Sequence, residues 1–527
     1  MNQELTLERQ AALVAALANP ACYPHPVVFV QHLETHISHI LLAGDYAYKI
    51  KKPLNLGFLD FTSLERRKTC CLQEVHLNRR LAPTLYLDCL PICGSVENPV
   101  VGGDPAAALE YAVKMRRFPQ TALLDHCLTE GRLQPRQVDA LARQLAEFHG
   151  SIARAGPGEP FGSPEQLQQP VLENFIDLRK LLKDSGDRDL LNRLEHWTLA
   201  TCQRLQATLA ERKAAGFIRE CHGDLHLGNM LLEDDQILIF DCIEFNEEFR
   251  WIDVMSDLGF LLMDLYHRGA AGLAWRLLNV YLEFSGDYGG LRVLPYYQIY
   301  RALVRAKIAA IRLHQPGLTV ARHSAVQGDC RTYLELALAC TEPPPPFLLI
   351  TQGVSGSGKS YLTAQLAEQP GAIRIRSDVE RKRLFGLGPL AASHSGLTQG
   401  LYTPAADLRT YQQLHTLAGQ ILAAGYPVLV DATFLETERR QAFRALARTH
   451  GVPFILLACG AEPATLRDRV ARRKARGDDA AEADLAVLER QLQHYTPPLA
   501  EEQPLVAADS AISTIREALL ARTRQVQ

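Results

Sequence analysis

The octapeptide Gly353-Val354-Ser355-Gly356-Ser357-Gly358-Lys359-Ser360 constrains this chain more than any other stretch of its 527 residues. Its glycines let successive backbone N–H groups turn inward, which builds a concave anion site, and G-x-x-x-x-G-K-[ST] adds a cation and a hydroxyl at the end. Such a loop works between a strand and a helix. Phe347–Gln352 before it is brief and apolar, as a buried strand should be, and an amphipathic segment starts near Tyr361. The loop therefore predicts an α/β unit in which residues 353–360 cradle a triphosphate, Lys359 meets the β/γ oxygens and the Ser360 hydroxyl ligates Mg²⁺.

Four consecutive prolines, Pro343–Pro346, remove helix and central-strand options just upstream and favour a stiff spacer. They divide the chain into residues 1–340, a linker at 341–346 and a second domain at 347–527. Before the linker, Ile37–Ala43 and Tyr46–Lys51 read as two strands of a hairpin turning at Gly44-Asp45. A helix is expected over Leu64–Leu81 and another strand over Leu109–Met115. Beyond about Pro119 the pattern is helical, as in Gln137–Phe148 and Leu190–Arg212, apart from a strand-and-loop island at Glu220–Phe245. A small strand-rich lobe at about 30–118 followed by a helical lobe at about 119–340 is the outline of a two-lobed kinase. The expected fold is thus an α+β two-lobed protein-kinase-like domain followed by an α/β P-loop NTPase domain with a parallel sheet.

His222-Gly223-Asp224-Leu225-His226-Leu227-Gly228-Asn229 has the H-x-D-x-x-x-x-N spacing of a kinase catalytic loop, in which the Asp accepts the acceptor hydroxyl's proton and the Asn reaches metal. Asp224 and Asn229 take those roles here. Ile237-Leu238-Ile239-Phe240-Asp241 follows as an apolar strand ending in a second carboxylate, so Asp241 is the expected metal ligand. A small-lobe lysine should contact the α/β phosphates and pair with a helix glutamate. Lys49 and Glu74 fit, with Lys51 a rival on the same strand face, because side-chain direction repeats every two residues. The strand at Glu110–Met115 is the expected hinge holding adenine.

In the second domain, Ile373–Arg376 reads as a strand that brings Asp378 to its C-terminal end, where it can position or deprotonate an acceptor hydroxyl. Asp378 as a helix cap is the competing reading. Pro427–Val430 leads into Asp431, the Walker-B position that supports Mg²⁺. The arginine-rich stretch from Arg467 to Arg476 suits either a lid, with Arg469 or Arg473 stabilising the transferring phosphoryl group, or a solvated basic face.

Through Gly353–Ser360, Ser377-Asp378, Val430–Thr433 and Arg469…Arg473, the second domain resembles the P-loop kinases of the polynucleotide-kinase, gluconate-kinase and zeta-toxin group. Through His222–Asn229, Asp241, Lys49 and Glu74, the first resembles the aminoglycoside-phosphotransferase-like kinases, which include choline and fructosamine kinases. Asp241-Cys242-Ile243 in place of Asp-Phe-Gly, and no G-x-G-x-x-G before Lys49, suit small-molecule kinases better than protein kinases. Together the halves look like the bacterial bifunctional aminoglycoside-phosphotransferase-like/AAA-family ATP-binding proteins. The resemblance implies two ATP sites, Mg²⁺, and phosphorylation of hydroxyls on small-molecule acceptors.

With 56 Lys+Arg against 59 Asp+Glu, no global charge draws the chain to nucleic acid or anionic lipid. A nucleic-acid end kinase is therefore an alternative that the basic stretch permits and the charge does not favour. A P-loop ATPase with the first domain as a nucleotide-binding regulatory module is another. No apolar run approaches the roughly 20 residues of a membrane span, and the N-terminus lacks signal-peptide features, so a cytoplasmic location is expected.

Overall fold

Alternation within Tyr46–Lys51 decides how the first sheet is built. Tyr48 and Ile50 point to one face, where they are buried with Leu13 and Val14 of helix Leu7–Ala16 and its C-cap residue Leu17. Ala47 points to the other, against Cys71 and Val75 of helix Leu64–Asn78. Lys49 and Lys51 share Ala47's parity and so face that helix. The sheet comprises β1 (Val30–Glu34), β2 (Ser38–Ala43), β3 (Tyr46–Lys51), β4 (Tyr86–Gly94), β5 (Pro99–Val101) and β6 (Glu110–Arg116). Its order is β1-β2-β3-β6-β4-β5, and every neighbouring pair is antiparallel. The β2–β3 turn is Gly44-Asp45, with Gly44 at φ +57°. Helix Leu64–Asn78 starts at an N-cap, Ser63, whose hydroxyl accepts from the Arg66 amide at 3.3 Å, and it ends three residues short of the expected Leu81.

The structure, a computed structural model, describes residues 6–315, 317–393, 400–476, 479–502, 505–506 and 512–524. They form two compact units that do not coincide with the sequence halves. The first contains the residues up to Gln137 with Ile152–Gln166 and Leu209–Leu261; the second contains Val138–Ser151, Leu167–Thr208 and the chain from Leu262 onward. In the first unit, two small antiparallel pairs carry the catalytic-loop region: β7 (Ile218–Glu220) with β10 (Trp251–Asp253), and β8 (Met230–Glu233) with β9 (Gln236–Ile239). The β8–β9 hairpin turns on Asp234 and Asp235, both left-handed at φ +47° and +66°. β9 ends two residues before Asp241 because Asp241 itself adopts φ +65°, which a strand cannot continue through.

The second unit holds the parallel sheet: β11 (Leu348–Gln352), β12 (Ile373–Arg376), β13 (Val428–Asp431), β14 (Phe454–Ala458) and β15 (Leu505–Val506), ordered β12-β13-β11-β14-β15. Parallel strands covered on both faces read as continuous apolar runs, and Leu348, Leu349, Ile350, Leu429 and Val430 are fully buried accordingly. Helices drawn from the first half of the sequence, including Ala271–Ser285, Leu294–Leu313 and Val320–Ala339, belong to the same unit. No helix among the described residues is long and apolar enough to cross a membrane.

Candidate active sites

In the first unit, β3 and helix Leu64–Asn78 present a buried charge cluster. Lys49 Nζ donates to Glu74 Oε1 at 2.8 Å and to Asp241 Oδ1 at 2.6 Å. Lys51 Nζ donates to Glu74 Oε2 at 2.6 Å and to Glu244. Burial alone would raise the Glu74 carboxyl, but the two ammonium groups override it and hold it down at about 2. Desolvation works against the charge on Lys49, yet Asp241, Glu74 and Glu244 raise its pKa well above the ordinary value. The two lysines differ in access: the Lys49 side chain is 14% exposed beside Asp241, at 42%, whereas Lys51 is 1% exposed and sits over the Phe61 ring.

The catalytic loop is fixed by backbone hydrogen bonds. Asp257 accepts the His222 and Gly223 amides, both at 2.9 Å. Gly223 is required at φ +86°, where a Cβ would stand 2.6 Å from the Phe249 carbonyl oxygen. Burial lowers the His222 pKa, so the ring is neutral; Nε2–H donates to the Phe240 carbonyl at 2.9 Å, and Nδ1 accepts the Asp224 amide at 3.3 Å. Asn229 Nδ2 donates to the Asp224 carbonyl at 3.0 Å and to its Oδ2 at 2.9 Å. That leaves Asn229 Oδ1 as the amide's acceptor. With the Asp241 carboxylate it offers the hard oxygen donors that suit Mg²⁺.

In the second unit, the loop after β11 folds as its glycines require. Gly353, Gly356 and Gly358 have φ of +150°, +81° and +92°, and a Cβ at Gly353 would lie 2.3 Å from the Cys459 carbonyl oxygen. Helix Lys359–Leu366 begins directly after Gly358. Lys359 Nζ donates to the Val354 carbonyl at 2.8 Å; burial lowers its pKa, against the pull of Asp431 and Asp378. Asp431 closes β13 at 5% exposure, and its Oδ2 is buried with no hydrogen-bond partner, the Arg376 guanidinium being 3.9 Å away. An orphaned carboxylate oxygen beside the phosphate loop fits a metal or metal-bound water, and Ser360 supplies the hydroxyl.

Asp378 lies in the first turn of helix Ser377–Leu384, just past the end of β12, and caps no amide among the described residues. The arginines of helix Pro463–Arg476 divide by partner, carboxylates for two and backbone carbonyls for two. Arg467 and Arg472 pair with Glu489 and Asp468; Arg469, exposed like them, donates to the Gly356 carbonyl at 3.3 Å, and the half-buried Arg473 donates to the Ala483 carbonyl at 2.9 Å.

Several participants carry no sequence signature. Asp257, Glu244 and Gln491, whose Oε1 accepts the Ser355 amide at 2.7 Å, belong to no short motif. No spacing rule reaches Glu244, which lies outside any strand, three residues after the left-handed Asp241. Asp479 pairs with Arg376 at 2.6 Å and Glu482 with Lys382 at 3.0 Å, so the acidic Asp479–Ala483 stretch is tied down by cations from β12 and the helix after it.

These folds and sites define a kinase-type phosphotransferase-like domain joined to a P-loop kinase-like domain. Residues 59–294 match the model of the Phosphotransferase enzyme family, and residues 348–498 match that of an AAA domain. The chain is 31% identical over 475 residues to uncharacterized proteins of Mycobacterium tuberculosis and Mycobacterium bovis, covering 89% of itself and 92% of each, and it belongs to their family. Among solved structures, a choline/ethanolamine kinase family protein from Mesorhizobium loti aligns with 63% of this chain and 98% of its own at 16% identity, TM-score 0.37. A gluconokinase from Sinorhizobium meliloti aligns with 34% of this chain and 93% of its own at 20% identity, TM-score 0.25.

Proposed function

We propose that the chain is an ATP- and Mg²⁺-dependent phosphotransferase with two ATP sites, each passing the γ-phosphoryl group to a hydroxyl of a small-molecule acceptor. The observation that carries this reading is the meeting of Lys49 with Glu74 and with Asp241, 192 positions apart in sequence, within 2.8 Å. In the first site Asp224 accepts the proton as the acceptor oxygen bonds to the γ-phosphorus and ADP departs. Asn229 orients that carboxylate, and Lys49 clamps the phosphates. In the second, residues Gly353–Ser360 hold the triphosphate, Asp378 takes the acceptor proton, and Arg469 and Arg473 neutralise charge developing on the transferred group. Bound at Asn229 and Asp241, or at Ser360 and Asp431, Mg²⁺ would supply charge neutralisation of the phosphate oxygens.

³¹P NMR of ATP and Mg²⁺ with a small-metabolite extract tests this. Asp224→Ala and Lys359→Ala should each abolish a different phosphorylated product. Inorganic phosphate alone, stopped only by Lys359→Ala, would instead indicate a P-loop ATPase.

A further inference from the structure

A cavity of about 500 Å³ opens against the phosphate loop, and its opposite lining comes from the first half of the sequence: helix Ala271–Ser285 and residues Asp139 and Arg143 of the second unit. That volume accommodates a small molecule. The two halves are fastened there by specific bonds. Arg276, held within its own half by both oxygens of Asp139 at 2.6 and 2.7 Å, donates across to Glu368 at 2.7 Å. Glu283 accepts from Arg374 at 2.7 Å, and the Asn279 amide spans the outer edge of β12, donating to the Ala372 carbonyl at 2.9 Å while accepting the Arg374 amide at 2.6 Å.

Seven Lys and Arg side chains line the cavity against four carboxylates, and each of those carboxylates is engaged by an arginine. Lys359, Arg469 and Arg473 lie on the phosphate loop and the basic helix, where the proposed reaction uses them. Arg143 is left over. Among the described residues it forms no ion pair with a carboxylate, its Nε is buried without a hydrogen-bond partner, and its guanidinium lies 5.4 Å from the ring of Phe284, which also lines the cavity. A buried donor without an acceptor costs stability, and a planar guanidinium in a cavity is suited to pairing with an oxyanion.

We infer that this cavity is the acceptor subsite of the P-loop domain and that its acceptor is a small hydroxyl compound bearing an oxyanion, carboxylate or phosphate, held by Arg143. The inference rests on the proposed kinase reading of the P-loop domain and adds the substrate class. It also makes the first half of the sequence part of the second site.

The test uses the full chain loaded with Mg²⁺ and AMP-PNP, so that the triphosphate position is filled, and titrates inorganic phosphate, D-glycerate and glycerol by calorimetry. At least one of the two anions should bind saturably, about ten- to a hundred-fold more weakly to Arg143→Met, with Arg143→Lys intermediate and glycerol not binding. Equal affinity for wild type and Arg143→Met, or no saturable binding of either anion, would overturn it. AMP-PNP binding that is lost in Lys359→Ala and kept in Arg143→Met shows that the P-loop site is intact. If no AMP-PNP binding depends on Lys359, the underlying kinase reading fails instead.

Discussion

Lys49 and Lys51 have the same residue type on the same strand face, and their surroundings separate them. Lys51 is enclosed by Glu74 and Glu244, which accept its two ion-pair hydrogen bonds, and by the Phe61 ring, whereas Lys49 borders the more exposed Asp241. Glu74 joins both, and its depressed pKa makes stability depend on pH. With the folded carboxyl at about 2 and an ordinary value of 4.5, its contribution is complete above pH 4.5 and is lost as pH falls toward 2. The shift corresponds to about 3 kcal/mol at most. Urea unfolding of wild type should therefore weaken more steeply between pH 4.5 and 3 than that of Glu74→Gln; parallel slopes would contradict the assignment. Periodicity and the glutamate-on-helix expectation led to this pair from sequence. Glu244 and Asp257 were not legible, because their partners are chosen by tertiary packing rather than by spacing.

At the scale of elements, helix Leu64–Asn78 is locked to β6 by a pair with no solvent exposure. Arg67 Nε donates to both Glu110 oxygens at 2.9 Å, its Nη1 to the Phe61 and Thr62 carbonyls, and Gln10 to Glu110 at 2.7 Å. Burial raises the Glu110 pKa even so, with Arg67 and Gln10 pulling against it. Arg67→Met should cost about 3–5 kcal/mol by leaving that carboxylate buried and unpaired, and Arg67→Met/Glu110→Leu should recover most of the loss. Denaturant unfolding of the single and double variants measures this; a double variant as unstable as the single would refute it. Strands with strong alternation or continuous apolar runs, such as β2, β3, β11 and β13, were readable from sequence. β1 was not, since only Val30 of its five residues is even partly buried. Nor was β4, which carries Pro91 and a register shift between Tyr86 and Asp88.

Across the whole molecule, motif spacing pointed to the two loops around which the candidate sites are built, because phosphate loops and kinase catalytic loops are compact in sequence. The composition of the second unit was hidden. Glu283, Asn279 and Arg276 meet β12 and its neighbours only through folding, and nothing in helix Ala271–Ser285 read alone announces that contact. The proposed function requires two separate nucleotide sites on one chain, Lys49 serving one and Lys359 the other. Equilibrium binding of AMP-PNP with Mg²⁺ counts them directly. Wild type should bind two molecules per chain, Lys49→Met one, Lys359→Ala one and the double variant none; a single molecule bound by wild type would rule out two sites.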